Sequence, residues 1–197
     1  MALQDPAARL AFALFATALV CGCANLTVMR HVPISTMSRL SSLRLAEIEP
    51  AELRVAARLP DVLEPRPRGV KVRIDVAGLK QDKAGTVALI LEPAIEQSEL
   101  EPLSPHRRAS QRIWVYRLLP GDVDRLKNFA AEARGASAVS IAAGVEVCHR
   151  KPYGSARLPT TTFLRTNAMG FFVLTQDLDL RSVVSEQDLA SRVPPCA

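Results

Sequence analysis

Four cysteines carry most of the chemistry available to this 197-residue sequence. Cys21 and Cys23 stand two apart at the end of an apolar run, while Cys148 and Cys196 lie far downstream. An even pair in the body of an exported chain is expected to oxidise, so Cys148 and Cys196 are read as a disulfide closing a loop of about 49 residues. A metal site at Cys148-His149 is disfavoured, because adjacent residues on a strand point to opposite faces and cannot ligate one ion. His31, His106 and His149 are the only histidines, and none sits in a nucleophile or metal motif. Serines are plentiful, but nothing local marks a base or an oxyanion hole, and no glycine-rich phosphate loop follows a strand. No catalytic residue, metal or other cofactor is therefore assigned.

Two further groups have the composition of a binding site. Trp114 and Tyr116 fall two apart on an apolar strand and so share a face, where they could hold a sugar ring or a peptide, and Arg107, Arg108 and Arg112 form a basic cluster just before them. Asp177 and Asp179 could also share a face. Two carboxylates are too few for a calcium cage, however, and Arg181 supplies a counter-charge, so a solvated strand end is the expectation.

The elements that must position these residues are legible in the hydrophobic period. Residues 52–59 alternate, with Leu53, Val55, Ala57 and Leu59 opposed to Glu52, Arg54, Ala56 and Arg58, the pattern of a half-buried strand. Pro60-Asp61 and Pro65-Arg66-Pro67-Arg68-Gly69 interrupt it. Residues 70–76 and 86–91 then form a hairpin across a polar turn over 80–85. After a long acidic connection from Pro93 to Pro105, a strand is expected over 113–119 and a helix over about 121–134, with Asp122 accepting from the first-turn amides and Arg134-Gly135 closing it. Strands return at 139–148, 160–166 and 171–175, the last two joined across Asn167 to Gly170, and Ser185 to Leu189 reads as a final helical turn. About seven strands, one clear helix and no βα alternation predict a mainly β protein, an antiparallel β-sandwich with one inserted α-helix.

The N-terminus has a recognisable form. Residues 10–20 are an eleven-residue, largely apolar stretch preceded by Arg9 and followed by Cys21-Gly22-Cys23-Ala24. As a helix it covers roughly 16 Å, about half of a bilayer core of about 30 Å, too short for a permanent span. It resembles the signal peptide of bacterial lipoproteins, in which a small residue precedes a cysteine that is acylated and becomes the first residue of the mature protein. The resemblance implies cleavage after Gly22, lipid on Cys23 and loss of Cys21 with the signal. The weakly basic start, where Asp5 offsets Arg9, departs from that pattern. Ala24, where an Asp would signal retention, implies the outer membrane. The chain divides accordingly into a signal peptide (1–22), a lipid-anchored tether (23–50), in which a short helix could run across Leu40, Leu43 and Ile48, and a β-sandwich-like domain (51–197).

Removing residues 1–22 takes away one Arg and one Asp, so the formal charge stays at +5. A basic balance suits anionic headgroups or acidic glycans, and nucleic acid is not expected outside the cytoplasm. The expected function is a non-catalytic binding or assembly module held on the periplasmic side of a membrane, with an envelope protein as partner. Two alternatives are a lipoprotein that binds a small ligand or glycan through Trp114, Tyr116 and the arginines, and an envelope hydrolase.

Overall fold

The computed structural model describes residues 28–78, 85–136 and 138–197; Cys21, Cys23, the signal sequence and most of the turn expected over 80–85 lie outside the described residues. Seven strands, β1 (Arg54–Pro60), β2 (Leu63–Ala77), β3 (Gly85–Pro93), β4 (Gln111–Leu118), β5 (Ala138–His149), β6 (Pro159–Thr166) and β7 (Met169–Asp179), form one antiparallel sheet in the order β5-β2-β3-β4-β1-β6-β7. Helices α1 (Ile34–Ser42), α2 (Gln97–Leu100), α3 (Pro120–Glu132) and α4 (Glu186–Arg192) accompany it. The protein is mainly β and antiparallel, with the expected inserted helix present as α3. The layers of the expected sandwich prove to be one continuous sheet, curled around its core.

That continuity comes from β3, which belongs to both halves. Residues 85–90 pair with β2, from Val76↔Gly85 to Lys71↔Ile90, and the last three residues pair instead with β4, from Leu91↔Leu118 to Pro93↔Tyr116. The change of partner leaves a gap in the ladder at Ile90. Its carbonyl accepts from Leu119 N–H at 3.4 Å, but the Leu119 carbonyl, which would return the bond, is taken by the first amides of α3, Asp122 at 2.9 Å and Val123 at 3.0 Å. The buried Asp122 carboxylate stands in, accepting from Ile90 N–H at 2.7 Å, while Arg125 binds Asp122 at 2.5 Å and donates to the Ala88 carbonyl at 3.1 Å. Asp122 is thus not the helix cap expected from the sequence; Leu119 holds that position, with Pro120 opening the helix. Instead, the α3 side chains continue the edge of β4 for two more residues of β3.

β1 also differs from the expected half-buried strand. It lies between β4 and β6 in the middle of the sheet, and both of its faces are covered. The acidic connection folds back as α2 and the 3₁₀ turn Glu101–His106, bringing Leu103 against Ala56, Val115 and Phe163. The arginines caught beneath it are paired. Arg54 donates to Glu99 at 2.9 Å, and the nearly inaccessible Arg58 reaches Asp177 at 2.7 Å, Thr161 Oγ1 at 2.9 Å and the His106 carbonyl at 2.8 Å. His106 packs on Phe163, and burial followed by the nearby Arg58 and Arg108 lowers its pKa.

The described part of the segment read as a tether is folded onto the body. α1 contacts both β5 and β7, the two ends of the sheet, and so spans the opening of the curl. His31 accepts from Gln176 N–H at 2.7 Å through its carbonyl, its ring Nδ1 lies 2.9 Å from the Gln176 carbonyl, and Thr36 Oγ1 donates to the Val173 carbonyl. Leu45 and Ile48, in and beside a 3₁₀ turn, are buried in the main core. The hairpin from β6 to β7 turns on Asn167 and Ala168, tighter than the expected four residues, with Thr166 opposite Met169. The final helix forms as expected, with Ser185 Oγ accepting from Asp188 N–H at 3.1 Å.

Replacing Asp122 with Ala should leave the partly buried Ile90 amide without its acceptor and release Arg125, lowering stability by about 1–2 kcal/mol. Asp124→Ala, on the exposed side of the same turn, should cost less than about 0.5 kcal/mol. Urea denaturation measures both, and amide exchange at Ile90 locates the effect; equal losses in the two variants would remove Asp122 from its bridging role.

Candidate functional site

Where β3 turns from β2 to β4, a cavity of about 1020 Å³ opens. One wall is the end of β3, Ile90 to Pro93, with Trp114 and Tyr116 of β4 and Leu119 beyond them. The facing wall is the first half of β2, Glu64 to Arg68, with Cys148, His149, Arg150 and Pro152 behind it and the tail residues Pro195 to Ala197 alongside. The next hollow, about 440 Å³, has no aromatic ring in its lining.

The β2 wall is held away from β3 by a bulge. Its pairing with β5 shifts between Pro65 and Val70, Arg68 adopts φ +57°, and a Cβ on Gly69 would lie 2.9 Å from Glu146 Cβ and 3.0 Å from the Arg66 carbonyl. Only glycine allows so close a pass. Arg150 N–H donates to the Val62 carbonyl at 2.9 Å, so by the antiparallel alternation Glu64 turns its backbone to β5 and Pro65 turns away from it. Pro65, Pro67 and Pro93 have no N–H to offer, which blunts these strand edges against added pairing. The sequence pattern 65–69, read as a strand break, is therefore a bulged strand forming a cavity wall.

The two candidate rings converge here. Trp114 lies opposite Ala57 and Tyr116 opposite Val55, small partners that leave room for large rings on the inner face. The Trp114 indole N–H is buried and has no acceptor among the described residues, and His149 Nδ1 is likewise buried without a hydrogen-bond partner among them. Burial, with the Glu64 charge adding to it, pushes the Tyr116 phenol far up, so it remains a protonated hydroxyl. Glu64 itself is held below the usual carboxylate range by a hydrogen bond from Arg150 that outweighs its desolvation. The site thus combines apolar rings with a fixed ion pair.

The arginine cluster does not join them. Arg112 has the same strand parity as Trp114 and Tyr116 but sits at the start of β4, where its guanidinium lies 3.4 Å from Asp61. Arg108 is 4.0 Å from Asp177, Arg107 is exposed, and none of the three lines the cavity. The basic groups that do are Arg66, Arg68 and Arg150, supplied by the bulge and by the residues just after Cys148. Asp177 and Asp179 are occupied structurally. Asp177 serves Arg58; Asp179 accepts from the Leu158 and Arg181 amides at 3.0 and 3.2 Å, which with Arg157 lower its pKa against the opposing effect of burial. Among the described residues, no cluster of three or more His, Cys, Asp or Glu is placed to hold a metal.

The disulfide Cys148–Cys196 is present, with Cα atoms 5.0 Å apart. It does more than close a loop. His149 N–H donates to the Pro194 carbonyl at 2.9 Å and Cys196 N–H to the His149 carbonyl at 3.0 Å, so the tail lies parallel to the end of β5 as a short extra strand and completes the cavity wall. No protein-family model matches this chain, and comparison with curated proteins and with solved structures returns no match.

Reducing the bond, or replacing both cysteines with serine, should cost about 4 kcal/mol in the chain-entropy model. It should also expose the His149 and Cys196 amides to exchange ahead of the sheet; amides that remain protected would mean that the tail holds without its bond. The Glu64 carboxyl titrates lower in the folded chain than its ordinary value of 4.5. The stability that it contributes is therefore complete above that value and lost as pH falls through its depressed pKa. Glu64→Gln should flatten the acid limb of a urea-midpoint profile relative to wild type, and superimposable profiles would contradict the ion pair.

Proposed function

We propose that this chain is a lipid-anchored envelope protein that binds a small amphipathic ligand, without catalysis, in the cavity between β2 and β4. The observation that carries the reading is the convergence of Trp114 and Tyr116 on a cavity of about 1020 Å³, large enough for a small-molecule ligand, with the Glu64 and Arg150 pair at its side. A molecule with a flat or apolar body would lie along the rings, Ile90, Leu91 and Leu119. A polar group on it would meet the fixed carboxylate and the guanidinium groups. Glycans with an apolar ring face fall within that class.

Three observations favour this reading over docking by strand addition and over hydrolysis. The ends of the sheet are bridged by α1, and prolines line the parted strands, so ready sites for an added strand are reduced. The lining holds no serine or threonine, its two cysteines are joined, and its one phenol is held protonated. The lipobox-like Cys21-Gly22-Cys23-Ala24 supports an anchor on Cys23, facing the periplasm from the outer membrane.

Trp114 is the single tryptophan of the chain and reports directly on occupancy. Titration with the apolar fluorophore N-phenyl-1-naphthylamine should quench Trp114 by energy transfer and saturate at one equivalent. Leu119→Glu, which places a charge on the apolar wall, should weaken binding by roughly tenfold or more while leaving the circular dichroism unchanged. An absence of saturable binding, or binding indifferent to Leu119→Glu, would overturn the cavity as the site. Mass spectrometry of the protein from membranes should find an acylated Cys23 at its start; an intact Met1 would overturn the anchor.

A further inference from the structure

We infer that the outward face of α1, with the turn before it, is a docking surface for anionic phospholipid, so that the protein lies on its membrane in a fixed orientation. Exposure singles out this face. Among the described residues the exposed large apolar side chains are Met29 (53%), Ile34 (86%), Met37 (50%) and Ile95 (85%), and three of these four fall within nine residues at the start of the folded body. Ile34 and Met37 are three apart and share one side of α1. Thr36 and Leu40, four apart on another side, face Val173 and the core. The helix is amphipathic with its second apolar surface left in solvent, a pattern that marks an interaction site.

Charge selects the partner. From Ala24 to Ala46 the sequence has Arg30, Arg39 and Arg44 and no Asp or Glu. Arg44 has Glu47 at 3.7 Å, and Arg39 lies over the Phe172 ring at 5.7 Å, still exposed; neither it nor Arg30 has a carboxylate partner among the described residues. Arg30 lies in the turn before the face, while Arg39, five residues from Ile34 and two from Met37, projects from the side of α1 nearer the sheet, so it is the net positive charge of the segment as a whole that favours an anionic headgroup surface beneath its exposed apolar side chains.

The length of chain outside the described residues fixes where this face must be. This step rests on the proposed lipid at Cys23. Four residues lie between Cys23 and Val28, and the five steps from one to the other span at most about 18 Å. Met29 and Ile34 are thereby confined close to the headgroups, where the cost of bringing the face to the bilayer has already been met by the anchor.

The test uses the protein purified from membranes, with Ile34→Cys or, as a control, Ile95→Cys labelled by a nitrobenzoxadiazole dye. The native pair Cys148–Cys196 is bonded and an acylated Cys23 has no free thiol, so neither competes for the label; a sample found unacylated is remade with C21S and C23S before labelling. Each protein is reconstituted in vesicles of phosphatidylethanolamine and phosphatidylglycerol, or of phosphatidylcholine alone, containing a lipid with a nitroxide high on its acyl chain. Dye at 34 should be quenched severalfold more than dye at 95, and more in the anionic vesicles than in the neutral ones. Equal quenching at 34 and 95 would overturn the docking face, as would protection of the dye at 34 only when a co-purified protein is present. The N-terminal mass of the same sample separates the two ideas: an unacylated chain that still shows preferential quenching at 34 on added anionic vesicles overturns the anchor and supports the face. An acylated chain without that quenching overturns the face and leaves the anchor standing.

Discussion

A backbone carbonyl can serve a strand neighbour or a helix N-terminus, and at Leu119 it serves the helix. The resulting vacancy opposite Ile90 is filled, because leaving an amide unpaired in this partly buried place would cost on the order of 1 kcal/mol. Asp122 fills it, and in doing so fixes where β4 ends, where α3 begins and how β3 is held as it changes partner. Without that change β2 and β3 would run side by side to their ends. The cavity is what remains when they part, so its position follows from one hydrogen bond donated to a carboxylate.

Keeping such an opening from closing is a separate problem. Two strand edges facing each other across a gap would ordinarily pair, and three devices prevent it here. The bulge at Arg68 and Gly69 directs β2 toward β5; Pro65, Pro67 and Pro93 remove donors from the parted walls; and the disulfide holds the tail along His149 as a third wall. Their magnitudes differ. The two tail hydrogen bonds supply about 1 kcal/mol each, whereas the crosslink contributes about 4 kcal/mol by restricting the unfolded chain. The tail is thus held chiefly by its covalent bond, and the cavity wall that it forms depends on an oxidising compartment.

Most strands were legible in the sequence because an alternation of apolar and polar residues reports a sheet with one wet face. Residues 70–76 are the clearest case, and they occupy the expected place and orientation in β2. The same reasoning failed for residues 52–59, since alternation describes one face and cannot foresee that a distant segment, 94–106, will cover the other; Arg54 and Arg58 look solvated until Glu99 and Asp177 are placed beside them. It also failed at 65–69. Two prolines and a glycine usually end a strand, and only the neighbouring β5 reveals that they shape one. For the site, shared parity was enough to place Trp114 and Tyr116 together, and an even cysteine count was enough for the disulfide. Sequence proximity did not indicate which basic groups line the cavity. Arg107, Arg108 and Arg112 lie near the rings in the chain, but Arg66, Arg68 and Arg150 reach the cavity from strands that only the tertiary fold brings close.

The N-terminal segment joins these features mechanically. In an anchored protein with a long flexible linker, the folded body would sample many orientations, and membrane attachment would set only its local concentration. Here the bonds from His31 and Thr36 to β7, and the contact of α1 with β5, make residues from His31 onward part of the sheet's closure. On the proposed anchor, a constraint applied at Cys23 would be separated from the first described residue, Val28, by at most about 18 Å of chain. Leu40 of α1 packs against the core cluster that contains Leu126 of α3 and the cavity residue Tyr116, so α1 and the cavity belong to one packed body. For such a body, the placement of α1 and the direction in which the cavity opens are not independent variables: on the proposed membrane contact, the surface beneath α1 would set the side from which the proposed ligand approaches.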